Sequence, residues 1–253
     1  MRQDVRFGQI LQRLNESGSV GVAELAGQLG VSEASVRRDL RRLEQQNLLT
    51  RTHGGAAASG VLYELPMRYR GGQHHEAKRA IAAAAVALVT SETTSVGLNG
   101  GTTTTEVARA LTGHPGLRVV TNALNIASEL AVRSTIELVV CGGSARPESY
   151  ELVGPLAEQT LAHLNLDVAF IGVDGISVAA GLTTHHEVEA HTDLALIDRA
   201  RSVVVVADSS KIGRVAFARI CSLSRIDDLI TDREADRAAL AAIEERGVRV
   251  TTV

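Results

Sequence analysis

"SEASVRRDLRRLEQQNLLTRTHGG", residues Ser32 to Gly55, decides how the rest of this 253-residue chain is read. Four arginines, Arg37, Arg38, Arg41 and Arg42, fall within six consecutive positions. Around them Val36, Leu40 and Leu43 keep the i, i+4, i+7 spacing of one apolar helix face. At about 100° per residue, Leu40 and Leu43 lie within roughly 40° of Val36. Ala34, Ser35, Arg37, Arg38, Arg41 and Arg42 spread over the opposite side. Asp39 falls beside the apolar seam, where a partner within the protein is expected. Ser32 is placed to cap the helix, and Glu33 in the first turn suits the positive end of its dipole.

Upstream the same period recurs twice, at Phe7, Ile10, Leu11 and Leu14 and again at Val22, Leu25, Ala26 and Leu29. Gly30 closes the second segment with a residue that tolerates a left-handed turn. Helix, tight turn, helix is the helix-turn-helix pattern. Downstream, "LLTRTHGG" reads as a short strand entering a Gly-Gly turn, a wing that carries Arg51 and His53. An arginine stripe by itself is most often a solvated face. On the second helix of a helix-turn-helix, with no balancing acid expected beside it, the stripe fits a major groove instead. Small residues near the helix start (Ser32, Ala34 and Ser35) let it approach base edges, and arginines reach phosphates or guanine O6 and N7. Double-stranded DNA is the expected partner. The segment's lack of stacking aromatics argues against single strands and RNA.

Charge divides the same way. Residues 1–58 hold eight Arg against six Asp or Glu, a net of +2, and the remainder carries a net of −5. A small basic unit joined to a larger acidic one points to a polyanion partner for the first alone. No apolar run approaches the ~20 residues that span a bilayer, and "MRQDVRFGQI" lacks the apolar core of a signal peptide. Cys141 and Cys221 make a poor disulfide framework, so a reducing cytoplasm is the expected compartment.

"VSEASVRRDLRRLEQQNLLTRTHGGA" resembles the winged helix-turn-helix of DeoR-type bacterial transcriptional regulators, with Ser35 where that family usually has Thr. "GGAAASG", Gly54 to Gly60, offers no side chain to anchor a core and reads as wing tip plus linker. Pro66 argues against one continuous helix there. We therefore expect a winged helix-turn-helix domain at 1–57, a linker at 58–74 and a larger domain at 75–253.

From His75 onward, Ala-rich helical stretches alternate with the runs "TSVGL", "LRVV", "IELVV", "VAFIGV" and "VVVVA". That alternation predicts an α/β domain with a largely parallel sheet covered on both faces. Each run ends in small or polar residues: Asn99-Gly100-Gly101-Thr102-Thr103, Thr121-Asn122, Gly142-Gly143, Asp174-Gly175 and Asp208-Ser209-Ser210-Lys211. Ligands of open α/β sheets bind outside the carboxyl ends of the strands. Gly100 and Gly101 ahead of a helix starting near Thr103 would expose amides and hydroxyls at a positive helix end, which suits a phosphate. As a bare motif "NGGTTTT" is neither a dinucleotide fingerprint nor a Walker loop; the five converging strand ends carry the reading.

"LNGGTTTTEVARAL", "VVTNALNIASEL", "CGG", "VAFIGVDGI", "GLTT" and "VVVVADSSKIG" extend the resemblance to the DeoR effector domain, similar in fold to ribose-5-phosphate isomerase and CoA transferases. The resemblance implies a phosphorylated sugar or related metabolite as effector; because helix-turn-helix proteins read paired half-sites, a homo-oligomer, dimer or tetramer, is expected. It implies that Gly101, Thr102 and Thr103 hold phosphate, that Asn99, Thr121, Asn122, Gly143 and Glu189 lie nearby, and that Asp174 and Lys211 meet sugar hydroxyls or phosphate. The family often has Asp at the place of Asn99. It commonly carries a basic pair four residues beyond a Glu, where this chain has Glu189 followed by Asp193 and Leu194. No cofactor and no membrane contact is expected.

The rival class is an enzyme, a phosphosugar isomerase or deaminase with an appended DNA-binding module. Asp174 would serve as base with Glu187 or Glu189 as partner. Against it, "ISVAAGLTT" lacks the Lys that the isomerase pattern places before its Gly-rich loop, and turnover would deplete the signal a regulator senses. "HHEVEAH" invites a zinc reading, but His186 and His191 are five apart, roughly 140° beyond one turn, so no metal is expected. A solvated helix start is the expectation there, exposed positions for His74 and His75, and helix ends for His114 and His163. Cys141, ending an apolar run, is expected to be a small buried residue rather than a nucleophile.

Overall fold

Helices form where the apolar period placed them. The first part of the chain runs α1 (Gln3–Ser17), β1 (Ser19–Gly21), α2 (Val22–Leu29), α3 (Glu33–Gln45), β2 (Thr50–Thr52), β3 (Gly55–Ala57) and α4 (Met67–Arg70). The structure is a computed structural model; it describes residues 3–46, 48–58, 66–70 and 73–253, which divide into two compact units between Gln73 and His74. In the first unit Phe7, Ile10, Leu11, Leu14, Val22, Leu25, Leu29, Val36, Leu40 and Leu43 share one core, with Ala26 half-buried against it. Gly30 closes α2 at a φ of 63°, a left-handed conformation that costs glycine least. Ser32 caps α3, its Oγ accepting the Ser35 amide at 3.3 Å.

Two expectations for this unit change. Gly55–Ala57, expected as wing tip and linker, is the central strand of an antiparallel sheet ordered β1-β3-β2, and the wing is the β2–β3 hairpin turning at His53 and Gly54. The expected linker at 58–74 also contains α4, which packs on α1. Tyr69 is buried with its ring 5.8 Å from that of Phe7, and its hydroxyl donates to Gln46. The amphipathic turn after Pro66 completes the core instead of spacing two domains. Positions 59–65 and 71–72 of that linker lie outside the described residues.

The second unit begins α5 (His75–Val86), β4 (Ser95–Leu98), α6 (Thr102–Leu111), β5 (Arg118–Thr121), α7 (Leu124–Leu130), β6 (Glu137–Val140), β7 (Ser144–Ala145), β8 (Leu152–Val153) and α8 (Pro155–Ala162). It continues β9 (Leu166–Ile171), β10 (Gly175–Ser177), β11 (Gly181–Thr184), α9 (Glu187–Ile197), β12 (Ala200–Val206), β13 (Ala218–Cys221), β14 (Asp228–Thr231), α10 (Arg237–Glu244) and β15 (Arg249–Thr252). Seven strands form one parallel sheet ordered β15-β14-β12-β9-β4-β5-β6.

Alternation along the central strands explains their unbroken apolar runs. Ala169 and Ile171 of β9, with Val203 and Val205 of β12, enter the core shared with α8, α9 and α10. Val168, Phe170, Val204 and Val206 enter the opposite core, shared with α5, α6 and α7. Both faces are therefore covered, as a parallel sheet requires. From β4 the chain first builds outward to β5 and β6, then returns to β9 on the other side. The strand order thus reverses between β4 and β9, and it is outside the carboxyl ends at such a switch point that open α/β sheets form their ligand crevice. A second, antiparallel sheet β10-β11-β13 and the β7–β8 hairpin rise from these strand ends.

Candidate functional site

Two surfaces carry the residues singled out from the sequence. On α3, Asp39 turns inward and is 1% exposed. Both of its carboxylate oxygens are held: Arg6 grips them through Nε and through a second nitrogen at 3.0 Å, and the Gln3 amide donates at 3.2 Å. The helix's one buried charge is thus neutralised from α1. Its outer face keeps Ala34, Arg37, Arg38, Arg41 and Arg42 exposed, with Ser35 half-buried beside the cap. Arg38 and Arg41 have no ion pair or hydrogen bond among the described residues. Arg42 donates to Gln3 at 2.8 Å. Arg37 corrects the expectation of an unbalanced face, since it reaches Glu33 one turn back at 2.6 Å. Both partners of that pair are about half exposed, so it is worth little and leaves Arg37 available. On the hairpin, Arg51 lies 3.8 Å from Glu44 and His53 is exposed at the turn.

The second surface lies at the switch point of the sheet. Asn99, at the end of β4, is 2% exposed and clasps β9: its amide nitrogen donates to the Gly172 carbonyl at 3.0 Å, and its oxygen accepts the Gly172 N–H at 2.8 Å. Its side chain therefore fixes the crevice floor. After it, the first turn of α6 leaves the amides of Thr102 and Thr103 without helical acceptors. The Thr102 and Thr103 hydroxyls make no hydrogen bond among the described residues, whereas those of Thr104 and Thr105 both donate back to the Gly101 carbonyl, at 3.0 and 2.6 Å. Two other sequence candidates are taken up locally. The Thr121 hydroxyl, fully buried, accepts the Ala123 amide, and the Asn122 amide donates to the Leu152 carbonyl at 3.2 Å. Gly143 lies against β8, with Val153 backbone where a Cβ would sit.

Around this loop stands a group of carboxyl side chains that the sequence only partly disclosed. Glu151 accepts the Gly100 N–H, and a Cβ at Gly100 would sit 2.4 Å from the Glu151 side chain, so a side chain there would displace Glu151. Glu189 and Asp193 stand one turn apart on α9, 2% and 3% exposed. The Thr184 hydroxyl lies 3.1 Å from Glu189 and 3.2 Å from Asp174, tying the two together. Arg146 donates to Glu189 at 2.7 Å, Lys211 lies 3.7 Å from Asp174, and His185 lies 3.9 Å from it.

Burial pushes the Glu151 carboxyl well above the usual range, and Asp193 and Glu189 push it further, against the Gly100 N–H. Burial and then Glu189 raise Asp193 likewise, with a hydrogen bond from Asn99 opposing. Asp208 goes the other way. Burial acts to raise it, but the Ser210 hydroxyl and the charges of Lys78, Lys211 and His74 together hold it low. Lys78, buried on α5, lies 3.8 Å from it.

Residues 6–59 match the DeoR-like helix-turn-helix domain, and residues 73–233 match the DeoR C terminal sensor domain. The chain belongs to the DeoR family. The putative aga operon transcriptional repressor of Escherichia coli O157:H7 is 35% identical over 98% of this chain and 93% of its own length. The HTH-type transcriptional regulator GlpR of Haloferax volcanii is 39% identical over 97% and 96%, and the glycerol-3-phosphate regulon repressor of Escherichia coli K12 is 33% identical over 92% of each. This DeoR family member is a DNA-binding transcriptional regulator.

The remaining motifs of the regulator find plainer places. His186 caps α9, its Nδ1 accepting the Val188 amide at 3.2 Å, and Glu187 and His191 are exposed. The helix start is not simply solvated, because Glu189 and Asp193 on its other side are buried. No group of three or more His, Cys, Asp or Glu among the described residues is disposed to hold a metal ion. Cys141 and Cys221 are buried free thiols, each pushed up to about 11 by burial. Among the described residues no helix is long and apolar enough to cross a membrane.

Proposed function

We propose that this regulator represses transcription in the cytoplasm as a homodimer or tetramer, reading operator DNA with α3 and the wing, and that a phosphorylated sugar bound in the sensor unit changes its affinity for that DNA. The observation that carries the DNA reading is the segregation of charge on α3. Asp39 is buried and satisfied on one side, while Arg38 and Arg41 stand exposed on the other with no partner among the described residues. Ser32, Ala34 and Ser35 would face base edges, Arg37, Arg38, Arg41 and Arg42 bases and phosphates, and Arg51 and His53 the flanking backbone. Paired copies suit a helix-turn-helix protein because each copy reads one half-site.

The α6 end of the crevice supports the effector reading. Thr102 and Thr103 offer amides and free hydroxyls at a positive helix end, with Gly101 beside them, and Lys211 adds a cation across the crevice. Asp174 and Glu189 would accept sugar hydroxyls, and Asn99, Thr121, Asn122 and Gly143 shape the strand ends. No catalytic step is needed, since a ligand that binds the two states unequally shifts their populations. The names of the aga operon and glycerol-3-phosphate regulon repressors support repression as the mode of action and, in the second, a phosphorylated small molecule as the regulated theme. Measuring operator affinity with and without sugar phosphates tests the site. Thr102→Val should lose the response to the effector, and an unchanged response would place the phosphate elsewhere.

A further inference from the structure

The three phenylalanines of this chain are placed unequally. Phe7 and Phe170 are core residues, 4% and 0% exposed, whereas Phe217 is 83% exposed and Val215, two residues before it, 63%. The segment between β12 and β13 that carries them is held firmly against the second sheet. The Gly213 amide donates to the Ile176 carbonyl at 2.8 Å, and the Ala216 amide donates to the Thr183 hydroxyl at 2.9 Å. The Arg214 carbonyl lies 2.5 Å from where a Cβ at Gly175 would sit, an approach that glycine permits. The aromatic ring is thus displayed by an anchored backbone.

Exposure alternates along this segment as it does along a strand. Val215, Phe217 and Arg219 are exposed, Ala216 between them is half-buried, and Ala218 and Ile220 enter the core. One side therefore presents a strip of two apolar side chains and a cation. The Arg219 guanidinium makes no ion pair or hydrogen bond among the described residues. β13 itself ends its sheet, pairing among the described residues with β11 alone, and such an edge is a ready template for another chain.

We propose that Val215, Phe217 and Arg219 form the centre of a self-association surface through which two copies of this regulator pair. This rests on the paired-copy reading above and gives it a place on the sensor unit. The chemistry of the strip selects a second copy over other occupants. Ring and guanidinium stand two residues apart on one side of the segment. A twofold axis near Ala218 runs two strips antiparallel and lays each Phe217 against Arg219 of the partner subunit. The patch is then its own complement, as a twofold interface requires. The guanidinium covers an aromatic face, a favourable contact, and the two like charges are kept apart. Aromatic and arginine side chains are also the types that dominate association energy.

Sedimentation equilibrium of the full chain over a concentration series tests the surface, with melting temperature measured alongside. Phe217→Ser should weaken association by about tenfold or more, from dimer toward monomer or from tetramer toward dimer, and Arg219→Glu should do so independently. Both side chains are exposed, so neither change should lower the melting temperature of the dissociated chain. Phe217→Tyr keeps an aromatic face and should associate within about threefold of the unaltered chain. Serine and glutamate variants that associate as tightly as the unaltered chain would overturn the strip and leave paired copies standing. An unaltered chain that is monomeric at every concentration would overturn both. A monomer whose melting temperature falls on Phe217→Ser would assign the strip to a contact within the chain and overturn the proposal.

Discussion

The two units of this regulator treat charge in opposite ways. On α3 the single buried acid is paired and hydrogen-bonded, and the cations are left outside in water, two of them without partners among the described residues. In the sensor unit Glu151, Glu189 and Asp193 are inside, and among the described residues the Oδ1 atoms of Asp193 and Asn122 have no donor. A surface cation costs almost nothing to maintain while it waits for a polyanion. A buried acid is expensive unless a proton or a ligand relieves it. The first arrangement suits a large, highly charged partner met at the surface; the second suits a small molecule enclosed by the protein.

The largest expected effect tests the buried side of α3. Asp39→Ala leaves the Arg6 guanidinium, only 14% exposed, without its partner, and should destabilise the first unit by about 3 kcal/mol in a denaturant titration. A loss below about 0.5 kcal/mol would show that Asp39 does not anchor the helix. Next comes the exposed side. Arg38→Ala should weaken binding to a selected duplex by about 1–3 kcal/mol with melting temperature unchanged. Equal losses of stability and affinity would break the contrast between the two faces.

The smallest effect sharpens the contrast within the crevice. Because the folded-state pKa of Glu151 is raised, the folded chain holds a proton that the unfolded chain gives up near pH 4. Its contribution is therefore fully present below that pH and is lost as pH rises toward the folded value. Glu151→Gln keeps an acceptor for the Gly100 amide and removes the titration. It should melt a few degrees higher than the unaltered chain at pH 8, with the gap narrowing toward pH 5; an equal gap at both would contradict the buried-acid account.

Much of this was legible in the chain itself, and the losses have physical causes. The first three helices of the first unit, the cap at Ser32 and the inward turn of Asp39 follow from a 3.6-residue period. β1 and β3 were invisible because each is three residues long and mostly small. Five of the seven parallel strands announced themselves as apolar runs, since both faces of the central strands are buried. β14 and β15 sit toward one edge, and "DLIT" and "RVTT" carry too little apolar signal. Asn99 was legible as a strand-end residue but not as the clasp on Gly172. Glu151 and Arg146 went unseen because their meeting with α9 joins segments about 40 residues apart. One signal was available: Glu189, Asp193 and Leu196 follow i, i+4, i+7, which places two acids on an otherwise buried helix stripe.

The central claim is that α3 offers its outer arginines to duplex DNA. The most direct test is the affinity of the full chain for a duplex selected from a random pool, measured across salt concentrations. The logarithm of the affinity should fall linearly with the logarithm of salt, and Arg41→Ala should reduce the slope by about one. A slope near zero, or one unchanged by removing Arg38 and Arg41 together, would contradict the account.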